Sequence, residues 1–395
     1  MRAEETTDRD ELLVSVVVNN YNYGRFIGDA IDSVLAQTAP ALEIIVVDDG
    51  STDNSREIIE SYGDLITPMF KANAGQTSAF NVGFQQTNGD LVCFLDADDL
   101  LEPTALASLR EKFRNPHVVK VHWPLEVISA EGAPTGKRKP SHQLQEGQLT
   151  SRLLELGPDD PAWVPTSGNA WKRSFLEKIF PLPEPETLAG VGSASADASM
   201  SMLAPLYGEI AQIAEPQGRY RLHGSNDHSC MNFERRMHRD VALFELRAER
   251  LLTFCRSLGL RPNPELWREN AWCHKLKRAV NAIEQTIPEK KRFVLADDTT
   301  LQLFSQKYEI LPFLEDENEY AGLPGSCVQA IRELERMRKE GAQYFVHAWP
   351  SFWWREYYPE FNDYLGSQYN LITTTNEVAI YHLAQLPTSS VKQST

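Results

Sequence analysis

Cysteine is scarce in this sequence. The 395 residues hold five (Cys93, Cys230, Cys255, Cys273, Cys327), scattered and with no CxxC pair. That excludes a zinc ribbon and a disulfide framework, and it fits a reduced, cytosolic chain. Long apolar runs are missing too. No stretch approaches the ~20 residues of a membrane span, so no transmembrane segment is expected. Met1 to Asp10 is polar and charged, so a signal peptide is not expected either. Positive charge is in deficit, with 39 basic residues against 55 acidic and a net charge of −16. Such a balance argues against nucleic acid or an anionic membrane surface as the main partner. A glycine-rich basic loop is also absent. Residues 19–25 offer only Gly24 and Arg25, little for holding a triphosphate, which counts against a nucleotidyltransferase.

What the chain does have is an alternation of strand and helix patterns. Val14-Ser15-Val16-Val17-Val18 is a β-branched strand, followed by a polar turn from Asn19 to Gly24 and a helical repeat through Phe26, Ile27, Ala30, Ile31, Val34 and Leu35. Glu43–Val47 reads as a second strand, Ile66–Phe70 as a third, Thr77–Gln86 as a helix and Leu91–Leu95 as a buried strand. Thr52 or Asp53 can cap the helix after the second strand. This β-α-β-α-β order predicts an α/β fold, a parallel sheet with helices on both faces. Further on, a helix starts at Pro103, and Val118 to Ser129 reads as one strand entering a turn. Lys137-Arg138-Lys139 reads as an exposed loop, Pro158 to Ser167 as a Pro/Asp-rich loop, and 198–207 as a helix distorted by Pro205.

Four polar stations punctuate the first 230 residues, each after a predicted strand or helix end. They are Asn19-Asn20-Tyr21-Asn22, Asp48-Asp49-Gly50-Ser51, Asp96-Ala97-Asp98-Asp99, and a split pair, Asp197 and His223. Open α/β sheets bind ligands outside the carboxyl ends of their strands. Carboxylates one residue apart can hold a hard divalent cation, and the cation a diphosphate. A carboxylate at Asp49 can accept from a base N–H, and Tyr21 can offer a ring face. Singly, Asp-Gly and Asp-Asp after strands are ordinary turn chemistry. A lone Asp before a helix is more often a cap, and a lone His more often structural.

The set resembles the family 2 glycosyltransferases, inverting enzymes with the GT-A fold. The matching residues are Val16 to Asn22, Ile44 to Asp53, Asn73-Ala74-Gly75-Gln76 to Asn81-Val82-Gly83, Gly89 to Asp99, Asp197 and Tyr220-Arg221-Leu222-His223. The resemblance covers roughly residues 12–230 and implies a nucleotide-diphospho-sugar donor. Tyr21 and Asp49 would contact the nucleobase, with Asn19, Gln76 and Asn81 also at the donor. Asp96 would face the ribose and the metal region, Asp98 would ligate Mn²⁺ or Mg²⁺, and His223 would complete the metal or diphosphate site. Asp99 is expected to be structural, turning the chain toward the helix at Pro103. Asp197 would be the general base, with Asp159 and Asp160 as alternatives. The chain departs from the family at Asn19-Asn20, where Pro-Thr is usual, at Phe80, where Arg is common, and at Ala196, where an acid usually precedes the base.

From Asn232 the texture changes. Arg236–Leu258 and Pro264–Ile287 read as two helices, a domain bridge or a homodimer interface. Strands at 293–296, 344–349, 369–373 and 378–383, with helices at Cys327–Lys339 and Ser351–Leu365, predict a small α/β domain. Its aromatic run, Trp349 to Tyr358, reads first as core and second as a surface for glycan. The expected organisation is a disordered 1–11, a GT-A domain at 12–230, a helical linker at 231–288, the small domain at 289–386 and a disordered tail at 387–395. The expected acceptor is a glycan or lipid-linked glycan in bacterial surface-glycan or polysaccharide synthesis. The expected location is the cytoplasm, or peripheral at the inner face of the membrane. The competing readings are a catalytically inactive nucleotide-sugar or glycan-binding protein and, less so, a nucleotidyltransferase.

Overall fold

The computed structural model describes residues 11–158, 163–183, 196–224, 232–298, 300–301, 307–316, 319–320 and 322–385. Expectations for the first ten residues, for Asp159, Asp160, Ser225 and Asn226, and for the tail after Gln385 lie outside the described residues. The chain divides into two units, one of Met1–Cys230 with Ala242–Trp267, the other of Met231–Val241 with Arg268–Thr395.

The first unit is mixed α/β, of the GT-A type that the resemblance implies. Its strands are β1 (Val14–Asn20), β2 (Glu43–Asp48), β3 (Thr67–Phe70), β4 (Leu91–Asp96), β5 (Leu100–Leu101), β6 (Val118–His122), β7 (Leu125–Ile128), β8 (Pro134–Lys139), β9 (Asn169–Lys172), β10 (Glu209–Gln212) and β11 (Gly218–Arg221). Its helices are α1 (Ile27–Leu35), α2 (Ser55–Ser61), α3 (Gln76–Gln86), α4 (Ala105–Phe113), α5 (Thr150–Leu156), α6 (Arg173–Ile179) and α7 (Ala196–Leu203). Seven strands form the main sheet in the order β10-β6-β9-β4-β1-β2-β3. β1 runs parallel to β2 and β4, while β9 is antiparallel to β4 and β6. Val14, Val16, Val17 and Val18 are fully buried, as a strand covered on both faces requires. Gly83 lets α3 lie close on β1, because a Cβ there would collide with Val17 Cγ1.

A second sheet, β5-β11-β7-β8, carries part of the site. It corrects two expectations. Val118 to Ser129 is not one strand: β6 and β7 belong to different sheets. Pro124 lacks the N–H to continue the ladder, and the Trp123 N–H turns to the Gly168 carbonyl at 3.0 Å. Lys137 to Lys139 is not a loop but the end of β8, paired with β7 through Leu125↔Lys139 and Glu126↔Arg138. Its charges suit a sheet edge, where they discourage further pairing. The helix expected through 207 ends at Leu203, where Pro205 turns it into a 3₁₀ segment, Ala204–Leu206.

The next helices are α8 (Phe233–Ser257), α9 (Pro264–Asn270) and α10 (Trp272–Thr286). The single helix expected over 264–287 is broken at Ala271, which is extended at φ −60, ψ 132. Arg278 caps the break, donating to the carbonyls of Arg268 (3.2 Å) and Glu269 (2.7 Å). The second unit contains β12 (Arg292–Ala296), β13 (Glu309–Pro312), β14 (Glu315–Asp316), β15 (Glu319–Tyr320), α11 (Cys327–Lys339), β16 (Tyr344–Ala348), α12 (Trp354–Tyr357), α13 (Pro359–Gln368), β17 (Tyr369–Thr374) and β18 (Val378–Gln385). Five of these strands pair in the order β13-β12-β16-β18-β17, the first three parallel. The aromatic helix expected over 351–365 is two helices, since Pro359 opens α13 at a position where it has no N–H to lose.

Candidate active site

The polar stations meet at the carboxyl edge of the main sheet because the strands are in register. Asn19 at the end of β1 faces Asp96 at the end of β4, and Asn20 faces Asp48 at the end of β2. Asn19 Nδ2 donates to Asp96 Oδ1 at 2.9 Å, and Gln76 Nε2, from the first turn of α3, reaches the same oxygen at 3.1 Å. Asn19 Oδ1 is buried with no hydrogen-bond partner, an acceptor available to a ligand N–H or O–H. Asn20 Nδ2 donates to Asp48 Oδ1 at 2.7 Å, which fixes the turn at Ser51. Tyr21 stands half-exposed beside these groups in sequence.

Asp49 is buried and shapes the loop before α3. Its oxygens accept from Lys71 Nζ, from the Ala74 N–H at 3.0 Å and from the Gly75 N–H at 2.7 Å. Oδ2 accepts only the Gly75 bond and keeps further acceptor capacity. Gly75, at φ +87, provides the left-handed turn that starts α3. Asn81 departs from its expected role. Its Oδ1 accepts from the Leu182 N–H at 2.7 Å and its Nδ2 donates to the Leu182 carbonyl at 2.8 Å. Both ends of the amide are thus engaged by backbone, so Asn81 anchors Leu182 to α3. Phe80 is buried and stacks on Phe94 with centroids 4.2 Å apart, so that position is core.

The acidic cluster is organised from three sides. Asp98 Oδ2 lies 2.9 Å from His223 Nε2, and the His223 ring packs on Tyr23 and Phe26 at 5.3 and 5.0 Å between centroids. Asp99 accepts from the Ser167 hydroxyl at 2.7 Å and from the Arg221 N–H at 3.0 Å. Arg221, the last residue of β11, is buried. It donates to the Asp98 carbonyl (3.0 Å), the Ala130 carbonyl (3.0 Å) and Asp29 (3.1 Å), and lies over Phe26 at 4.8 Å. Asp99 therefore locks the turn, while Asp98 is left to the site. Burial pushes the Asp96 carboxyl up, and the charges of Asp98 and Asp197 push it the same way against the Asn19 bond. Burial likewise raises Asp99, with Asp98 and Asp96 adding to it. Burial and these carboxylates also push the Tyr220 hydroxyl up to about 12. Crowded carboxylates that resist ionising together favour a bound cation.

Asp197 is in the first turn of α7, buried, and close enough for its charge to act on Asp96. Its Oδ2 accepts from Trp163 Nε1 at 3.2 Å and its Oδ1 from the Ala198 N–H at 2.7 Å. Two neighbours escaped the reading by sequence. Trp163, in the Pro-rich loop, orients Asp197. Lys120, in the middle of β6, is fully buried, with Nζ 2.9 Å from Ser201 Oγ and 5.1 Å from the Trp171 ring centroid. The signal for Lys120 was a lone charge inside the run Val118-Val119-Lys120-Val121. Among the described residues no three His, Cys, Asp or Glu side chains form a ready cage for a metal. The Asp98 carboxylate is of the type that holds a hard cation together with substrate phosphates and water, and an imidazole beside it leans the choice away from Mg²⁺.

Residues 15–180 match glycosyl transferase family 2. The chain carries a family 2 glycosyltransferase domain. An uncharacterized glycosyltransferase of Nostoc sp. is 39% identical over 221 residues, 54% of this chain and 66% of that one. One of Rickettsia typhi is 35% identical over 147 residues, 36% of this chain and 46% of that one. The chain thus spans about half to two thirds of these relatives' length. Among solved structures, residues 1–349 of Staphylococcus aureus TarS in complex with UDP align over 70% of this chain and 75% of that one, at 19% identity and a TM-score of 0.45. A Pyrobaculum calidifontis mannosyltransferase in complex with GDP-Man and Mn²⁺ aligns over 69% and 76%, at 18% identity and a TM-score of 0.42. The matched span holds Asn19, Tyr21, Asp49, Gln76, Asn81, Asp96 and Asp98, while Asp197, Tyr220, Arg221 and His223 lie beyond residue 180.

Proposed function

We propose that the first unit moves a sugar from a nucleotide-diphospho-sugar to an acceptor hydroxyl, inverting the anomeric centre. The observation that carries this is the convergence of Asn19, Gln76 and Asp96 with Asp98–His223, within the electrostatic reach of Asp197, on a family 2 domain. Tyr21 offers its ring to the nucleobase and Asp49 Oδ2 accepts from it. Asp96, held by Asn19 and Gln76, faces the ribose. Asp98 and His223 would hold Mn²⁺ or Mg²⁺, and that cation would supply Lewis-acid stabilisation of the diphosphate charge. Asp197, aimed by the Trp163 N–H, takes the proton of the acceptor hydroxyl. One carboxylate opposite the leaving group is what inversion requires. The acceptor is a glycan or lipid-linked glycan of the bacterial surface, a reading supported by the bacterial origin of the relatives. The protein works in the cytoplasm or peripherally at the inner membrane face, where nucleotide-diphospho-sugars are at hand. Among the described residues no helix is long and apolar enough to cross a membrane.

The test is nucleoside diphosphate release from UDP-, GDP- and dTDP-sugars with Mn²⁺. Asp98→Ala should abolish release. Asp197→Asn should keep donor binding and lower turnover by roughly 10²–10⁴-fold. Tight donor binding without turnover on any acceptor would replace this proposal with a binding protein, and pyrophosphate release from a triphosphate would replace it with a nucleotidyltransferase.

A further inference from the structure

The second unit has a ligand-binding geometry of its own. The chain leaves β12 to form β13 on one side and returns through α11 to form β16 on the other, all three parallel. The carboxyl ends of β12 and β16 therefore flank a topological switch point, the place where open α/β sheets bind ligands. The two strand ends are tied together there. Ser351 Oγ donates to the Ala296 carbonyl at 2.7 Å and lies 3.1 Å from the Ala348 carbonyl. Two residues past β12, Asp298 adopts φ 51, uncommon for a residue other than glycine. Its Oδ2 accepts the Trp353 indole N–H at 2.8 Å.

The aromatic residues that follow sort onto two faces. Trp354, Tyr358 and Phe361 are buried in the core. Trp353 and Tyr357, one helical turn apart, are 42% and 68% exposed, with centroids 5.5 Å apart and planes at 66°. Trp353 is exposed yet held in place by Asp298, so its ring is a preset surface at the switch point.

We propose that Trp353, anchored by Asp298 just past β12, and Tyr357, set at 66° beside it, form an aromatic corner that takes a pyranose ring of a glycan chain, the sugar stacking on one ring with its edge against the other. A pyranose presents polarised C–H groups on one face and hydroxyls around its rim. The C–H face suits the negative face of an aromatic ring, and the rim hydroxyls suit an exposed carboxylate such as Glu356, next to Tyr357 in sequence. The two rings are too small for a stable protein interface, which needs about 800 Å² per partner. The flanking acidic residues Glu356 and Glu360, exposed beside the rings, do not suit an anionic membrane. The corner stands on the second unit's geometry and does not depend on the transfer reaction.

The experiment is titration of the full-length protein with cellohexaose, maltohexaose and chitohexaose, followed by ligand-observed NMR and calorimetry. At least one should bind, with tenfold or greater weakening in Trp353→Ala and in Tyr357→Ala. Tyr357 is the safer probe of the two, because its side chain stands mostly in solvent and its loss leaves the core intact. Circular dichroism confirms that each variant is folded. Absence of binding by all three sugars at about 10 mM overturns the proposal. So does binding that is unchanged in the folded Trp353→Ala/Tyr357→Ala double variant.

Discussion

Lys120→Met should remove a pH dependence of stability that the wild-type chain carries. Lys120 is fully buried in β6, bonded to Ser201 Oγ and set over Trp171. Burial lowers its pKa from 10.5 to about 7, against the opposing pull of the Asp197 charge. The sign follows from proton counting. Between about pH 7 and 10.5 the unfolded chain holds a proton that the folded chain has given up, so wild-type stability rises with pH across that window. Below pH 7 both states hold the proton, and the cost of burying the charge is constant and greatest. Each pH unit in the window is worth about 1.4 kcal/mol. From about pH 7 to 9.5 the wild type should therefore gain roughly 3 kcal/mol that Lys120→Met does not. The assay is urea unfolding of both proteins at about pH 6.5, 8 and 9.5, reading the difference between them so that groups common to both cancel. The variant should be the more stable by most at pH 6.5, with the gap closing as pH rises. A gap that stays flat within about 0.5 kcal/mol would show that the ammonium keeps an ordinary pKa and would refute the reasoning.

Asn81→Ala should lower stability by about 2–3 kcal/mol, since it strands the buried Leu182 N–H and carbonyl. KM for the donor at a temperature where the variant is folded should stay within about twofold if the role is purely structural, and a raised KM with an unchanged melting temperature would restore Asn81 to the donor site. Gly83→Ala should cost about 1–3 kcal/mol by forcing α3 off Val17, measured as a melting-temperature drop. Arg221→Lys keeps the charge but loses the fork that reaches Asp98, Ala130 and Asp29 at once. It should cut nucleoside diphosphate release more than tenfold while the fold persists by circular dichroism, and wild-type release from a folded variant would argue that Arg221 does not position the acidic turn.

The parts of the site that were legible in the sequence are those set by strand ends. β1, β2 and β4 are short buried runs, each stopped by a polar station, and parallel pairing brings Asn19 to Asp96 and Asn20 to Asp48 without further information. The parts that were not legible depend on pairs far apart in the chain. Asn81 carries the same polar signal as Gln76, yet one bonds to Leu182 and the other to Asp96. Trp163 lies 34 positions from the carboxylate it orients. The second sheet was missed because Pro124 splits what periodicity reads as one strand, and because a charged edge strand such as β8 has the composition of a loop.

The aromatic run of the second unit shows why periodicity stops short of function. Trp353 with Tyr357 and Trp354 with Tyr358 are two pairs at the same spacing, shifted by one residue. Helical periodicity says that each pair shares a face, but it is indifferent to which face turns inward. That choice is made by the strand ends. Ser351 bonds the Ala296 carbonyl at 2.7 Å and Asp298 takes the Trp353 N–H, and these two bonds fix the helix rotation. Trp354 and Tyr358 then fall onto the core with Phe313 and Phe361, and Trp353 and Tyr357 are left at the sheet edge. If the anchor sets the rotation, Asp298→Ala should loosen the Trp353 ring without unfolding the core. Its indole N–H resonance should then shift toward that of a free tryptophan, Trp354, which the same carboxylate also faces, should move with it, and the buried Trp171 resonance of the first unit should stay where it is.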